Sequence, residues 1–284
     1  MWEGSACTPF PFSLPSNPQS LPSNPQSLPP CLMNSIGTLT LTKREIWRFM
    51  KVWNQTIIAP IVTTLLFLAV LTLASGPHRT IEGIAYSEFI APGLVMMAIV
   101  QNAFANTSSS LMLAKIQGVI IDFLMPPLTG SEVTLAMVAG GLARGIAVGI
   151  VVMVAVYVFV PFSLHHPWVG LFHMVAACTM LALLGVLTGI WANSFDQLAA
   201  VTNYVITPLA FLSGTFYSIR QLPEFWYHVC HFNPFFYMID GFRYAITGYT
   251  DGYIGTGIAV MIGINLALWV ITVWLFERGT RLKN

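Results

Sequence analysis

The sequence predicts an all-α integral membrane protein: six transmembrane helices, an N-terminal amphipathic interfacial helix, and a re-entrant outer helical hairpin before the last span. Three observations lead there. Of 284 residues, 56% are hydrophobic and only 8% charged, where a soluble domain carries about 25% charged residues. Six apolar stretches each reach the roughly 20 residues that a bilayer-spanning helix needs. The 12 Lys and Arg are also unevenly shared among the segments that join those stretches. Such scarce charge cannot cover a globular surface. It excludes a soluble enzyme, a disordered regulator and a nucleic-acid binder built on basic patches.

Residues 1–32 differ from everything that follows. They hold eight of the 18 prolines, no Lys or Arg, and a tandem copy in which Leu14–Ser20 is repeated as Leu21–Ser27. A signal peptide needs a basic n-region and an apolar h-region, and neither is present. The composition predicts an extended, solvated leader. The alternative is that it is untranslated, with translation starting at Met33, which runs directly into the first plausible helix. Cys7, Cys31, Cys178 and Cys230 form no C-x-x-C pair, so zinc, thioredoxin-like and c-type haem signatures are missing.

Thr42 and Glu45 have the S/T-x-x-E spacing of a capping box, which predicts an interfacial helix over residues 42–54. Ile46, Phe49, Met50 and Trp53 recur at helical spacing, while Arg44, Arg48 and Lys51 share the opposite face. A basic stripe opposed to an aromatic one suits a helix lying on an anionic membrane surface; an ordinary packed amphipathic helix is the alternative.

The predicted spans are Gln55–Ala74, Phe89–Leu111, Val133–Val160, Trp168–Trp191, Leu198–Ser218 and Gly257–Phe276. Pro60 falls in the opening turns of the first, where proline is tolerated, and Pro208 predicts a kink in the fifth. Lys43, Arg44, Arg48, Lys51, Lys115, Arg278, Arg281 and Lys283 lie on one side, against Arg79, Arg220 and Arg243 on the other. By the positive-inside rule both termini are cytoplasmic, including a short tail at 277–284, and residues 55–276 form one membrane domain.

The segment 220–253 is too polar to cross lipid unaided and, with eleven aromatic residues, too aromatic to be a free loop. Asn233-Pro234 is a helix start, with Asn as N-cap and Pro in the first turn. The reading is two short helices dipping into the outer membrane face, broken near Asn233. Asp240 and Arg243, three apart, are expected to pair.

Chemistry-bearing motifs are mostly absent. No lysine follows a glycine, so there is no P-loop, and no G-x-S occurs. His165, His166, His173, His228 and His231 lack the further ligands of a zinc site and read as polar tips of interfacial helices, so no metal is expected. The second span ends in a polar run in which Asn102 and Asn106 share a face. They line a translocation path or make interhelical hydrogen bonds. Arg144, within the third span, anchors to headgroups or joins an ion pair. Gly141, Gly145 and Gly149 recur every four residues, a stripe for close helix packing. No carboxylate falls at a span centre, where an ion-coupled carrier usually has one, so the energy is expected from outside the membrane domain.

Four segments in this order carry a family resemblance: Ala91-Pro-Gly-Leu94, Ile121-Asp-Phe-Leu-Met-Pro-Pro127, Gly140-Gly-Leu-Ala-Arg-Gly145 and Asn233-Pro-Phe-Phe-Tyr-Met-Ile-Asp-Gly-Phe-Arg-Tyr244. From Thr42 onward the chain resembles the ABC type-2 transporter permeases, closest in pattern to the bacterial export branch that includes nodulation-factor and polysaccharide exporters. The proline-rich leader departs from that family, in keeping with a start at Met33. The resemblance implies a multi-pass protein of the bacterial inner membrane, neither enzyme nor cofactor binder, that dimerises with a second copy amid membrane lipids. A separate ATP-binding-cassette subunit would bind and hydrolyse the ATP. It implies ATP-driven alternating access for an amphipathic or glycan-type substrate, and a cytoplasmic coupling loop from Lys115 to Pro127. There Lys115, Gln117 and Asp122 would offer polar contacts, Phe123, Leu124 and Met125 an apolar knob, and Pro126 and Pro127 its end. A secondary transporter or channel not coupled to ATP is the competing reading.

Overall fold

The computed structural model describes residues 34–76, 79–119 and 128–278. The leader 1–32, the loop residues Asp122, Phe123, Leu124, Met125, Pro126 and Pro127, and the tail beyond Arg278 lie outside the described residues.

The described residues are helical apart from short connections and one small hairpin. Helix α1 (Ser35–Met50) leads through a π turn at Asn54–Ile58 into α2 (Ala59–Ser75). Then come α3 (Tyr86–Ile116), α4 (Gly130–Phe159) and α5 (Pro167–Trp191). Helices α6 (Phe195–Val201) and α7 (Thr207–Leu212) are joined by a π turn at Thr202–Ile206. Helices α8 (Glu224–Phe232) and α9 (Pro234–Thr247) precede the terminal α10 (Ile254–Arg278). The hairpin, absent from the sequence reading, pairs β1 (Thr80–Ile81) with β2 (Ile84–Ala85) antiparallel. Its turn residues Glu82 and Gly83 both have positive φ, 51° and 82°, the backbone that a two-residue hairpin turn requires.

Among the described residues five helices are long and apolar enough to cross a membrane: Asn54–Ser75, Tyr86–Ile116, Gly130–Phe159, Pro167–Trp191 and Ile254–Arg278. The expected fifth span, Leu198–Ser218, is a composite helix over 195–212 that stands outside this set. Asp196, Gln197 and Asn203 dilute its apolar character. Its distortion sits before Pro208, as a π turn: proline donates no backbone N–H and crowds the preceding carbonyls, and the wider turn relieves both.

The central element is α3, with 78% of its apolar stretch buried between α4 and α5. Phe89, Ile90, Met96, Ile99, Ala103, Leu111 and Met112 are sealed from solvent along its length. The glycine stripe of α4 makes this packing possible. A Cβ at Gly141 would stand 2.7 Å from Ala182 Cβ, at Gly145 2.6 Å from Cys178 Sγ and at Gly149 2.7 Å from Ile99 Cγ1. Only a residue without a side chain lets α3 and α5 approach so closely.

Two expectations about the first helix are corrected. It begins at Ser35, not Thr42: Asn34 Oδ1 accepts from the Gly37 N–H at 3.0 Å, and the Thr42 hydroxyl lies mid-helix, donating to the Thr38 carbonyl. Nor is its apolar stripe a single membrane-facing surface. Phe49 packs inward with Leu41 and Glu45 against α4, while Trp47, Met50 and Trp53 are exposed together with Lys43, Arg44 and Lys51. The helix is half core element and half surface element. The capping-box spacing is used elsewhere, at Thr129 and Glu132, which exchange backbone and side-chain bonds at the start of α4. Glu132 also accepts from the Asn34 N–H and so ties the starts of α1 and α4 together.

Candidate functional site

The polar face of α3 opens onto a cleft of about 730 Å³ walled by the end of α1, by α2, by α4 and by α7. Gln55, Thr63 and Thr64 contribute from the first span, Gln101, Asn102 and Ser109 from α3, and Arg48 and Arg144 from α1 and α4. Phe67, Leu94, Phe211 and Phe216 complete an apolar side. A second lobe of about 480 Å³ shares Gln101, Asn102, Ala105, Ser109 and Thr207 with the first and extends to Phe195, Thr202 and Asn203 of the composite helix.

The two asparagines singled out from the sequence have different surroundings. Asn102 lines both lobes; its Oδ1 accepts from Arg144 at 3.2 Å and its Nδ2 donates to the Ala98 carbonyl. Asn106 is fully buried, and its Oδ1 and main-chain carbonyl accept from Arg48 at 3.0 and 2.5 Å. Arg48 also donates to Ser109 Oγ at 3.1 Å and pairs with Glu45 at 3.3 Å. Glu45, itself 0% exposed, accepts from Ser110 Oγ at 2.7 Å. A Cβ at Gly140 would stand 2.5 Å from Glu45 Cβ, so the glycine is what admits this carboxylate. Among the described residues no carboxylate stands within ion-pair reach of Arg144; Asn102 holds it instead.

Sequence reasoning assigned Arg48 to a headgroup-facing stripe and Glu45 to a cap, and so missed both. Their i, i+3 spacing was the available signal, since it allows the pair to enter a low-dielectric site as a unit.

At the C-terminal end of α3, the Lys115 ammonium donates to the carbonyls of Ile190 and, at 3.0 Å, Ala192. It thereby satisfies the last carbonyls of α5. Gln117 follows, exposed at the helix C-cap. The remainder of the coupling-loop candidate lies outside the described residues.

The cluster around Arg243 is built differently from expectation. Asp240 makes no direct ion-pair contact with Arg243, although its charge still acts on that guanidinium. It accepts from Thr250 Oγ1 at 2.6 Å and from the N–H groups of Asp251 and Gly252 at 2.8 and 3.1 Å, which fixes the turn after α9. Arg243, 1% exposed, stacks 4.0 Å over the Phe89 ring and donates to the Phe89 and Gly214 carbonyls. Its ionic partner is Asp251, at 3.6 Å. Asp251 also accepts from Ser218 Oγ at 2.5 Å and Tyr249 Oη at 2.7 Å. Burial pushes the Tyr249 phenol up to about 12, so it remains a donor. Asp251 lies eight positions beyond Arg243 and past the end of α9, out of reach of the i, i+3 and i, i+4 spacings that a sequence reading can use. Asn233 caps α9 through the Phe235 N–H, with Pro234 in the first turn, and donates to the Leu209 carbonyl and Ser213 Oγ. Gly93 of the Ala91–Leu94 motif lies against Thr215, where a Cβ would stand 2.9 Å from the backbone oxygen. These contacts join α3, α9 and the chain from α7 to Ser218.

A family model described as ABC-2 type transporter matches residues 37–247. Over 243 residues the chain is 39% identical to the inner membrane transport permease YadH of Escherichia coli K12, spanning 85% of this chain and 94% of that one. It has the same identity and coverage with YadH of Shigella flexneri.

Proposed function

Because the chain belongs to the ABC-2 type transporter family, we propose that it is the permease subunit of an ATP-binding-cassette exporter of the bacterial inner membrane. In this reading it moves an amphipathic or glycan-type substrate outward by alternating access, energised by a separate ATPase. It works as a homodimer among membrane lipids, with both termini cytoplasmic. The composite helix 195–212 and the residues after it form the sixth span, and α8 and α9 form a re-entrant hairpin on the outer face.

One observation carries the reading: the polar face of α3 opens into a cleft with one amphipathic wall and one open flank. Only 11% of the apolar stretch in 54–75, which forms a wall of that cleft, is buried within the chain. A second copy against this flank would close the path, with Asn102 facing the substrate and Asn106 holding Arg48 behind it. A path that is polar within an apolar protein suits cargo rather than a structural core. The segment 115–127 is the coupling element, carried on a helix whose end Lys115 fastens to α5.

Co-expression with its ATP-binding-cassette subunit, followed by purification and mass measurement of the assembly, tests the proposal. A complex of two permeases and two ATPases is expected. A chain that recruits no ATPase would refute it.

A further inference from the structure

The cleft has an electrostatic character that its function as a path does not require. Two guanidinium groups, Arg48 and Arg144, enter it from different helices. One buried carboxylate, Glu45, pairs with Arg48; among the described residues none pairs with Arg144. Each arginine also keeps a buried Nε–H without a hydrogen-bond partner in the chain. A cation inside a membrane protein ordinarily finds an acid or a carbonyl cage. Arg144 has one neutral amide oxygen, that of Asn102. The balance at the cleft is one positive charge in excess.

We propose that this excess is a binding site for a terminal phosphate monoester carried on the amphipathic cargo, a group that phosphatidylcholine, a phosphodiester neutralised by its own choline, does not present. The inference rests on the cleft being the substrate path. Arg144 would take the phosphate oxygens, since a planar guanidinium fork matches phosphate bidentately, while Arg48, whose amino groups are bonded to Ser109, Glu45 and Asn106, would add its charge. Gln101, on the same wall, offers a further polar contact. The apolar part of the cargo would lie along Phe67, Leu94, Phe211 and Phe216. Several donors converging on one place suit a group with three acceptor oxygens better than a neutral glycan or a cationic drug, and a cationic cargo would be repelled.

The test uses the full chain with its ATPase in phosphatidylcholine proteoliposomes, and two fluorescent short-chain lipids with identical tails, a phosphatidate and a phosphatidylcholine. The phosphatidate is expected to bind at least about tenfold more tightly, and Arg144→Gln to remove about that factor while leaving phosphatidylcholine binding unchanged. Arg144→Lys should retain part of the preference, because it keeps the charge but loses the fork. Arg48→Gln should act in the same direction; Arg144 is the primary site because Arg48 also supports Asn106. Equal binding of the two lipids, or a preference that survives Arg144→Gln in protein of unchanged thermal stability, overturns the inference.

A second arm separates cargo from a resident bilayer lipid. Adding Mg-ATP should transfer the bound phosphatidate to the opposite leaflet, read by its protection from a membrane-impermeant quencher. A probe that binds in a charge-dependent way but stays in place under ATP hydrolysis overturns its assignment as cargo. The two readings also fail separately. A complex that hydrolyses ATP yet ignores headgroup charge sinks only the anion site, whereas charge-dependent binding by a chain that recruits no ATPase supports the site and sinks the exporter.

Discussion

Asn102 and Asn106 lie one turn apart on α3, and each accepts a hydrogen bond from a guanidinium of a different neighbouring helix: Arg144 of α4 for the first, Arg48 of α1 for the second. This pair of contacts joins the helix ahead of the first span to the centre of the bundle. Replacing Asn106 by Leu leaves the Arg48 guanidinium short of an acceptor in a buried site. An unsatisfied buried polar group costs about 1–3 kcal/mol, more when charged. Asn106→Leu should therefore lower the thermal unfolding temperature of the detergent-solubilised protein, and Asn106→Asp, which keeps an acceptor, should lower it less.

The Glu45 carboxylate gives a sharper contrast. Glu45→Ala removes the partner of Arg48 and the acceptor for Ser110 together, whereas Glu45→Gln keeps an acceptor for both. Removing one partner of a buried ion pair costs about 3–5 kcal/mol. The alanine variant should be markedly less stable than the glutamine variant by the same unfolding measurement.

Glycines on two helices should respond oppositely. Gly145→Ala places a Cβ 2.6 Å from Cys178 Sγ, so α4 and α5 must separate, at about 1–3 kcal/mol for overpacking. Gly263, on α10, has nothing within 4 Å of an added Cβ. Gly263→Ala should be neutral or stabilising, by up to about 1 kcal/mol of helix propensity.

The cluster around Arg243 is best tested by double-mutant cycles. Arg243 and Asp251 should show a coupling energy of about 1 kcal/mol or more, as contacting charged residues do. Arg243 and Asp240 should show the smaller value, since Asp240 is committed to the Thr250–Gly252 backbone turn. Equal couplings would restore the intrahelical pair.

The coupling segment makes its own prediction. Phe123→Asp should leave membrane insertion intact while reducing recovery of the ATPase and abolishing transport. A full yield of ATPase complex from this variant would remove Phe123 from the contact.

Much of this architecture was legible because membrane spans announce themselves by length and hydropathy alone. The α4 glycine stripe and the Asn233-Pro234 helix start were equally legible, being local chemistry with a single geometric outcome. What failed was local chemistry with two outcomes. The S/T-x-x-E spacing occurs at Thr42–Glu45 and at Thr129–Glu132, and only the second is a cap. At the first, Asn34 starts the helix a turn or more earlier, and Glu45 is drawn into the core because Gly140 leaves room for it. The charge partners failed for a related reason. Helical spacing favoured Asp240 for Arg243, but tertiary packing supplied Asp251 from beyond the helix end. Of the cleft, Asn102 was legible as a polar position on an apolar span. Arg48 was not, because the same periodicity describes a headgroup-facing stripe and a face packed into a polar core.

The central claim is that the chain moves cargo with energy supplied by a separate ATPase. The most direct test is uptake of an amphipathic probe into inside-out membrane vesicles containing the chain and its ATPase. Uptake is expected to require hydrolysable ATP and both subunits, and to persist when ionophores collapse the proton and sodium gradients. Uptake driven by an ion gradient without ATP, and unaffected by omitting the ATPase, would contradict it.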